Sequence, residues 1–453
     1  MKNKQYSLTK DPINKLFINI AIPSSIGTMF QTFYNIVDTF FAGKISPEAL
    51  AAIAQTFPVY FIIIAIGIGI SIGSTALISN SIGNENKTKA SLYLAQTLLI
   101  SLIVAIIITI IGLLIGPVIL ELMGTNTTTL NLSIDYIQII FLGSIFFFIQ
   151  IAANSSLTAI GDTKSYRNVM IFSFFLNIIL NPLFIFGYGF IPALGIKGIA
   201  LATITSQFLG MTYILYKTFN TELKKYLYLK CFYPKLDLIK SLLNQGIPAA
   251  FGMIMISVGV YIILYFVSMY GDYALAGYGT AIRYEQIFLL PILGLNSAVL
   301  AISGQNFGAK NFDRVREVYS KALFYGCSIM IFAGIIIFFS AEFIVSIFTD
   351  NKDVIKYGKT YLQITCLMEP IYPVFFISNA LLQGMKKANY VLFLTIFRMV
   401  ILPLITLSFL IIYLEFDFAY VFWGLLLINW IFGIFVIFFS RKIMSIEFTK
   451  NLN

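Results

Sequence analysis

Polar residues are sparse along this chain and fall in short clusters that separate long apolar runs. A helix crossing a bilayer needs about 20 apolar residues. Twelve runs meet that length: Leu16–Ala42, Ala51–Ser79, Leu92–Leu120, Ile134–Ala159, Val169–Phe186, Gly198–Tyr216, Ile239–Met269, Ala276–Ile302, Tyr319–Phe348, Tyr357–Leu382, Tyr390–Tyr413 and Tyr420–Phe439. Runs such as Ile100–Ile111 also fit buried strands, but their length favours helices, and membrane-barrel strands would alternate apolar and polar positions. The pattern predicts an all-α integral membrane protein.

The basic residues fix the expected orientation. Most Lys and Arg fall in alternate connections, including Lys87 and Lys89, Lys164 and Arg167, Lys217–Lys240, Lys310–Lys321, Lys386 and Lys387, and Arg441–Lys450. Cytoplasmic connections carry this excess. Lys2, Lys4, Lys10 and Lys15 join them, so both termini are expected inside the cell. The segment Met1–Lys15 is polar and basic and reads as a retained cytoplasmic tail rather than a signal peptide.

Composition narrows the chemistry. Of 453 residues, 11% are charged, against about 25% in soluble domains, and 59% are hydrophobic. Histidine is absent, which excludes histidine triads, metal sites and proton relays. Cys231, Cys327 and Cys366 form no CxxC pair and suit neither a zinc ribbon nor a disulfide framework. The net charge of +10 reads as a topological signal rather than a nucleic-acid footprint.

The two halves repeat. Ile22-Pro23 pairs with Ile247-Pro248, Ala49–Ala51 with Ala274–Ala276 and Gly83 with Gly308 at one constant offset. Gly161 pairs with Gly384 and Pro182 with Pro403 at nearly the same offset. Each half holds six spans, so both enter the membrane in the same sense. The expected architecture is two six-helix lobes, residues 1–226 and 227–453, related by a parallel pseudo-twofold repeat. Such repeats build transporters with the substrate path between the lobes.

Departures from the repeat mark candidate sites. In the first span, Gln31, Asn35 and Asp38 share a helix face, with Thr28 extending the stripe. The repeat counterpart of Asp38 is Ile263. In the fifth span, Asn177 and Asn181 share a face just before Pro182, and their counterparts are Arg398 and Leu402. Intramembrane carboxylates are costly and usually functional. An acid with amide oxygens suits a proton or a small hard cation such as Na⁺, so Asp38, Asn177 and Asn181 form a candidate Na⁺ site. The competing readings are a helix-end acid for Asp38 and interhelical hydrogen bonding for the two amides. In the second half, Glu369 reads as a second protonation site, a cation-attracting wall or the partner of an arginine. Arg283 and Glu285 read as structural or snorkelling residues. Gln31, Glu369 and Arg398 are candidates for the substrate path.

The segment from Pro23 through Gln31-Thr-Phe-Tyr-Asn35-Ile-Val-Asp38 to Gly43 resembles the opening of the multidrug and toxic compound extrusion (MATE) transporters. Gly195-Ile-Lys-Gly198-Ile-Ala-Leu-Ala-Thr203 and Ala301-Ile-Ser-Gly304-Gln305-Asn306-Phe-Gly308 are similar to later family segments. The resemblance covers essentially the whole chain and is greatest to bacterial DinF- and MepA-like members. It implies export of amphipathic, often cationic, compounds in exchange for H⁺ or Na⁺, with no cofactor. It also implies ion coupling at Asp38, Asn177 and Asn181, with Thr203 beside them; Asn35, on the same helix face as Asp38, is expected as a further neighbour of the coupled ion. Some members carry acids in the seventh span, and Ile247–Met269 here has none. A monomer in a bacterial inner membrane is expected, with no nucleic-acid partner. A flippase for a lipid-linked precursor is the alternative; it would need a cleft lined by cationic side chains such as Arg283 and Arg398. A membrane enzyme is disfavoured by the absent catalytic groups.

Overall fold

The protein is described by a computed structural model, which covers residues 6–124, 126–189 and 191–452. Lys2 and Lys4, counted among the inside charges, lie outside the described residues. The helices are α1 (Ile13–Ile45), α2 (Pro47–Gly83), α3 (Lys87–Leu122), α4 (Thr127–Ala159), α5 (Lys164–Phe186), α6 (Ile196–Phe219), α7 (Leu236–Ser268), α8 (Asp272–Gly308) and α9 (Phe312–Ser346). They continue as α10 (Lys352–Thr365), α11 (Tyr372–Gly384), α12 (Ala388–Ile396), α13 (Leu402–Leu407) and α14 (Phe418–Leu452). Among the described residues, eleven helices are long and apolar enough to span a membrane, with Ala388–Tyr413, which runs through α12 and α13, counted as one. Counted as one span, the pair α10 and α11, bent by 45°, makes twelve. Pro370 and Pro373 explain that break, since proline removes an amide donor and crowds the preceding turn. The chain is thus an all-α, multi-pass membrane protein.

Several helices run past the apolar stretches because their ends are capped. Ser46 accepts from the amide of Ala49 at the start of α2, with Pro47 at the first helical position. Asn86 and Asn126 cap α3 and α4 in the same way. These caps satisfy amides that the helix itself leaves unpaired. On α3, Ile103, Ile106, Ile107, Ile110 and Leu114 are exposed. A continuous apolar face of that kind suits lipid rather than water.

By contact, the described residues form two compact units. The N-terminal unit is Pro23–Ala250; the C-terminal unit is the chain up to Ile22 together with Phe251 onward. This partition differs from a single cut at 226/227. In the N-terminal unit, the start of α7 approaches α2 so closely that a Cβ on Gly69 would lie 2.5 Å from the Gly246 carbonyl. The basic linker is also held there: buried Gln96 donates to the carbonyls of Cys231 and Tyr233 and accepts from the amide of Lys235. In the C-terminal unit, Asn306 donates to the Leu8 carbonyl, and Phe17 meets Tyr325 edge-on. The boundaries fall at Pro23 and just after Pro248, the paired prolines of the repeat.

Each unit has its own apolar core. Ile63, Ile137, Phe141, Phe148 and Ile199 fill one part of the N-terminal unit. Phe266, Tyr278, Ile337, Tyr361 and Phe422 fill the C-terminal unit. Ile263, the repeat counterpart of Asp38, packs against that second core.

Candidate functional site

Three helices of the N-terminal unit bring a buried acid together with its donors. Asp38 on α1 is 6% exposed, and Asn177 and Asn181 on α5 are fully buried. Both amide nitrogens donate to Asp38 Oδ1 at 3.0 Å. Asn181 also donates to Asn177 Oδ1 at 2.9 Å. Thr203 on α6 donates its hydroxyl to Asp38 Oδ2 at 2.9 Å. A buried charge is tolerable when it is hydrogen-bonded in this way.

The local sequence explains why these helices meet. Gly198 on α6 sits where a Cβ would lie 2.6 Å from the backbone of Phe184 on α5. Gly195, just ahead of α6, has φ +56°, a conformation that favours glycine. The amides of Leu194 and Gly195 then bond the carbonyls of Phe184 and Ile185. The Gly195-Ile-Lys-Gly198 segment therefore seats α6 against α5, and Thr203 comes to lie opposite Asn181 and Asp38.

The cluster supplies oxygen ligands but only one carboxylate. Among the described residues no group of three acidic, cysteine or histidine side chains could hold a metal ion. The set suits a proton or a monovalent cation better than a divalent one. Asn181 Oδ1 is buried with no hydrogen-bond partner and is a spare acceptor at the centre. Three donors face the carboxylate. Binding a cation would require the amides to turn and present Oδ1.

Asn35 stands apart from this cluster. It is exposed, and its backbone carbonyl accepts from Thr39. With Gln31 it lines a partly open cavity that Tyr34, Gln150 and Asn154 also line. Tyr166 donates to Gln31 Oε1 at 2.8 Å. Among the described residues no charged side chain lines this cavity. Tyr34 joins it to the acid cluster, because its hydroxyl donates to the Thr203 carbonyl at 3.3 Å. The sequence reading missed Tyr34, Gln150 and Asn154. Tyr34 lies one turn before Asp38, and Gln150 and Asn154 share a face of α4, so helical spacing carried a signal.

The C-terminal unit holds different groups. Glu369 is fully buried in a short 3₁₀ turn, Glu369–Ile371, between α10 and α11. Among the described residues neither of its carboxylate oxygens has a hydrogen-bond partner, and Arg398 lies against Asn429, Phe375 and Tyr372 instead. Glu285, read from the sequence as structural or snorkelling, is buried and accepts from the Tyr361 hydroxyl. Arg283, two residues before it, is exposed. Arg398 lies in a π-helical stretch, Phe397–Ile401.

A family model described as MatE matches residues 23–183 and 248–407. The chain belongs to that family of membrane transporters and is not an enzyme. It is 28% identical over 386 residues to a protein named FAD transporter from Shewanella oneidensis, covering 84% of each. It is 25% identical over 387 residues to the multidrug export protein MepA of Staphylococcus aureus, covering 85% of this chain and 84% of the relative. A multidrug resistance MATE family transporter of the MOP superfamily, solved in an outward-facing conformation, superposes with a TM-score of 0.91. That likeness covers 99% of both chains at 25% identity. The chain is a multi-pass transporter of small molecules, of the bacterial MepA-like type.

Proposed function

We propose that this transporter is a secondary antiporter that exports amphipathic, including cationic, compounds in exchange for H⁺ or Na⁺. The observation that carries the reading is the buried Asp38, held by Asn177, Asn181 and Thr203 and linked through Tyr34 to an uncharged cavity. The ion engages Asp38. The substrate binds elsewhere and need not touch the ion; each ligand binds one of two states, outward-open or inward-open, better than the other. Gln31 and Asn35 contribute to the substrate side. The membrane potential contributes about 2.3 kcal/mol per charge moved across 100 mV. The names of the relatives span multidrug export and FAD transport, and the multidrug reading is supported by a cavity of amides, hydroxyls and aromatic rings that fixes no single ligand. The protein works as a monomer in a bacterial inner membrane with both termini cytoplasmic.

The test is efflux of rhodamine 6G from proteoliposomes under H⁺ and Na⁺ gradients imposed separately. Efflux driven by one of the two supports antiport and names the ion. Equal efflux with no gradient would contradict it.

A further inference from the structure

We propose that the C-terminal unit contains an anion-recognition site built on Arg398, which takes the carboxylate or phosphate group of an amphipathic small molecule. This deepens the transporter reading above and rests on it, extending its substrates beyond cations. An arginine at mid-span is costly, and such residues usually pair with an acid. Arg398 does not. Its Nε donates to Asn429 Oδ1 at 2.9 Å, and its guanidinium carbon lies 3.6 Å from the centre of the Phe375 ring. Tyr372 gives a second ring at 5.4 Å. A guanidinium has five N–H donors, and among the described residues only the one on Nε meets an acceptor.

The surroundings leave those donors something to bind. Arg398 borders a partly open recess whose other walls include Ile256, Phe375, Leu394 and Val436. Among the described residues, Asn379 and Thr395 are the only other polar side chains on its lining, and no carboxylate lies there to repel an anion. A planar, always-charged fork beside an apolar chamber matches a ligand with one anionic group and an apolar body. The backbone is adapted at this point as well: the π-helical stretch Phe397–Ile401 carries Arg398, and such segments occur often at functional sites. Asn429, which orients the guanidinium, lies beside Trp430 on α14. The chain's two tryptophans, Trp423 and Trp430, are both on that helix and serve as optical reporters.

The experiment compares dansylglycine, an anion, with dansylamide, which is neutral and has the same ring system. Binding to the full chain in phosphatidylcholine nanodiscs is read by energy transfer from tryptophan, with no ion gradient imposed. Loss of gradient-driven efflux would therefore not be mistaken for loss of this site. The expected result is affinity for dansylglycine at least about tenfold above that for dansylamide, as charge-assisted bonding implies. Arg398→Gln should remove the preference and leave dansylamide binding in place; Arg398→Lys should keep part of it. Equal affinity in the wild type, or a preference that survives Arg398→Gln, would overturn the proposal. Adding phosphatidylglycerol to the nanodiscs separates the sources of the anion. Unchanged dansylglycine binding supports a soluble ligand, and displacement that depends on Arg398 would overturn it in favour of a lipid headgroup.

Discussion

The two units bury acids in opposite ways. In the N-terminal unit Asp38 meets three side-chain donors from two other helices, and one further oxygen, Asn181 Oδ1, stays unsatisfied beside it. In the C-terminal unit Glu369 is equally buried and meets none among the described residues, while Glu285 is met by two tyrosines, Tyr361 and Tyr372. A carboxylate surrounded by donors that can also turn their oxygens toward a bound cation is equipped to exchange ligands. An acid in an apolar turn has no such choice. The contrast teaches that burial alone does not single out a candidate ion site; the partners do.

The comparison breaks most visibly if the donors are removed. Replacing both Asn177 and Asn181 by alanine strips two charge-assisted bonds of about 1.5–3 kcal/mol each. Gradient-driven efflux should fall at least tenfold by that estimate, measured as initial rates in proteoliposomes, whereas Glu369→Gln should lower it less than about twofold. Equal losses would erase the distinction between the units. Gly198→Ala comes next. Its Cβ would meet the Phe184 backbone at 2.6 Å, so α5 and α6 must part, at a cost of about 1–3 kcal/mol. A lower melting temperature together with weakened efflux is expected; weakened stability with intact efflux would separate the glycine from the site. Tyr361→Phe should cost a similar or smaller amount, about 1–3 kcal/mol, because it leaves the buried Glu285 carboxylate without that donor. Thermal unfolding should register it while the ratio of H⁺-driven to Na⁺-driven efflux stays constant. The smallest effect is expected for Gln31→Leu, which loses one hydrogen bond worth about 0.5–1.5 kcal/mol. Apparent substrate affinity should weaken a few-fold, with no change in ion dependence.

Much of this was legible from the sequence because a membrane makes the code coarse. Apolar length and basic connections gave the spans, and the few polar residues inside them stood out. Asp38, Asn177 and Asn181 were readable for that reason, and because the second half has Ile263, Arg398 and Leu402 in their places. Helical spacing put Asn35 on the same face as Asp38, yet only packing decides which side chain reaches the acid, and Asn35 ends up lining the cavity instead. The bend at Glu369 was hidden because one apolar run crosses it, although Pro370 and Pro373 marked the place. The Glu285–Tyr361 contact joins positions on α8 and α10 and leaves no local trace. The exchange of helix ends at Pro23 and Pro248 was equally invisible, since the repeat reveals equivalence and not which residues touch.

If ion and substrate compete through two states, substrate must release the ion that Asp38 holds, by the reciprocity of binding. Release can be read directly on purified protein, with a pH indicator for H⁺ and with ²²Na⁺ for sodium, as rhodamine 6G is added. Wild type and Glu369→Gln should release one of the two ions, and Asp38→Asn should release neither. Undiminished release from Asp38→Asn would contradict the assignment of coupling to this acid.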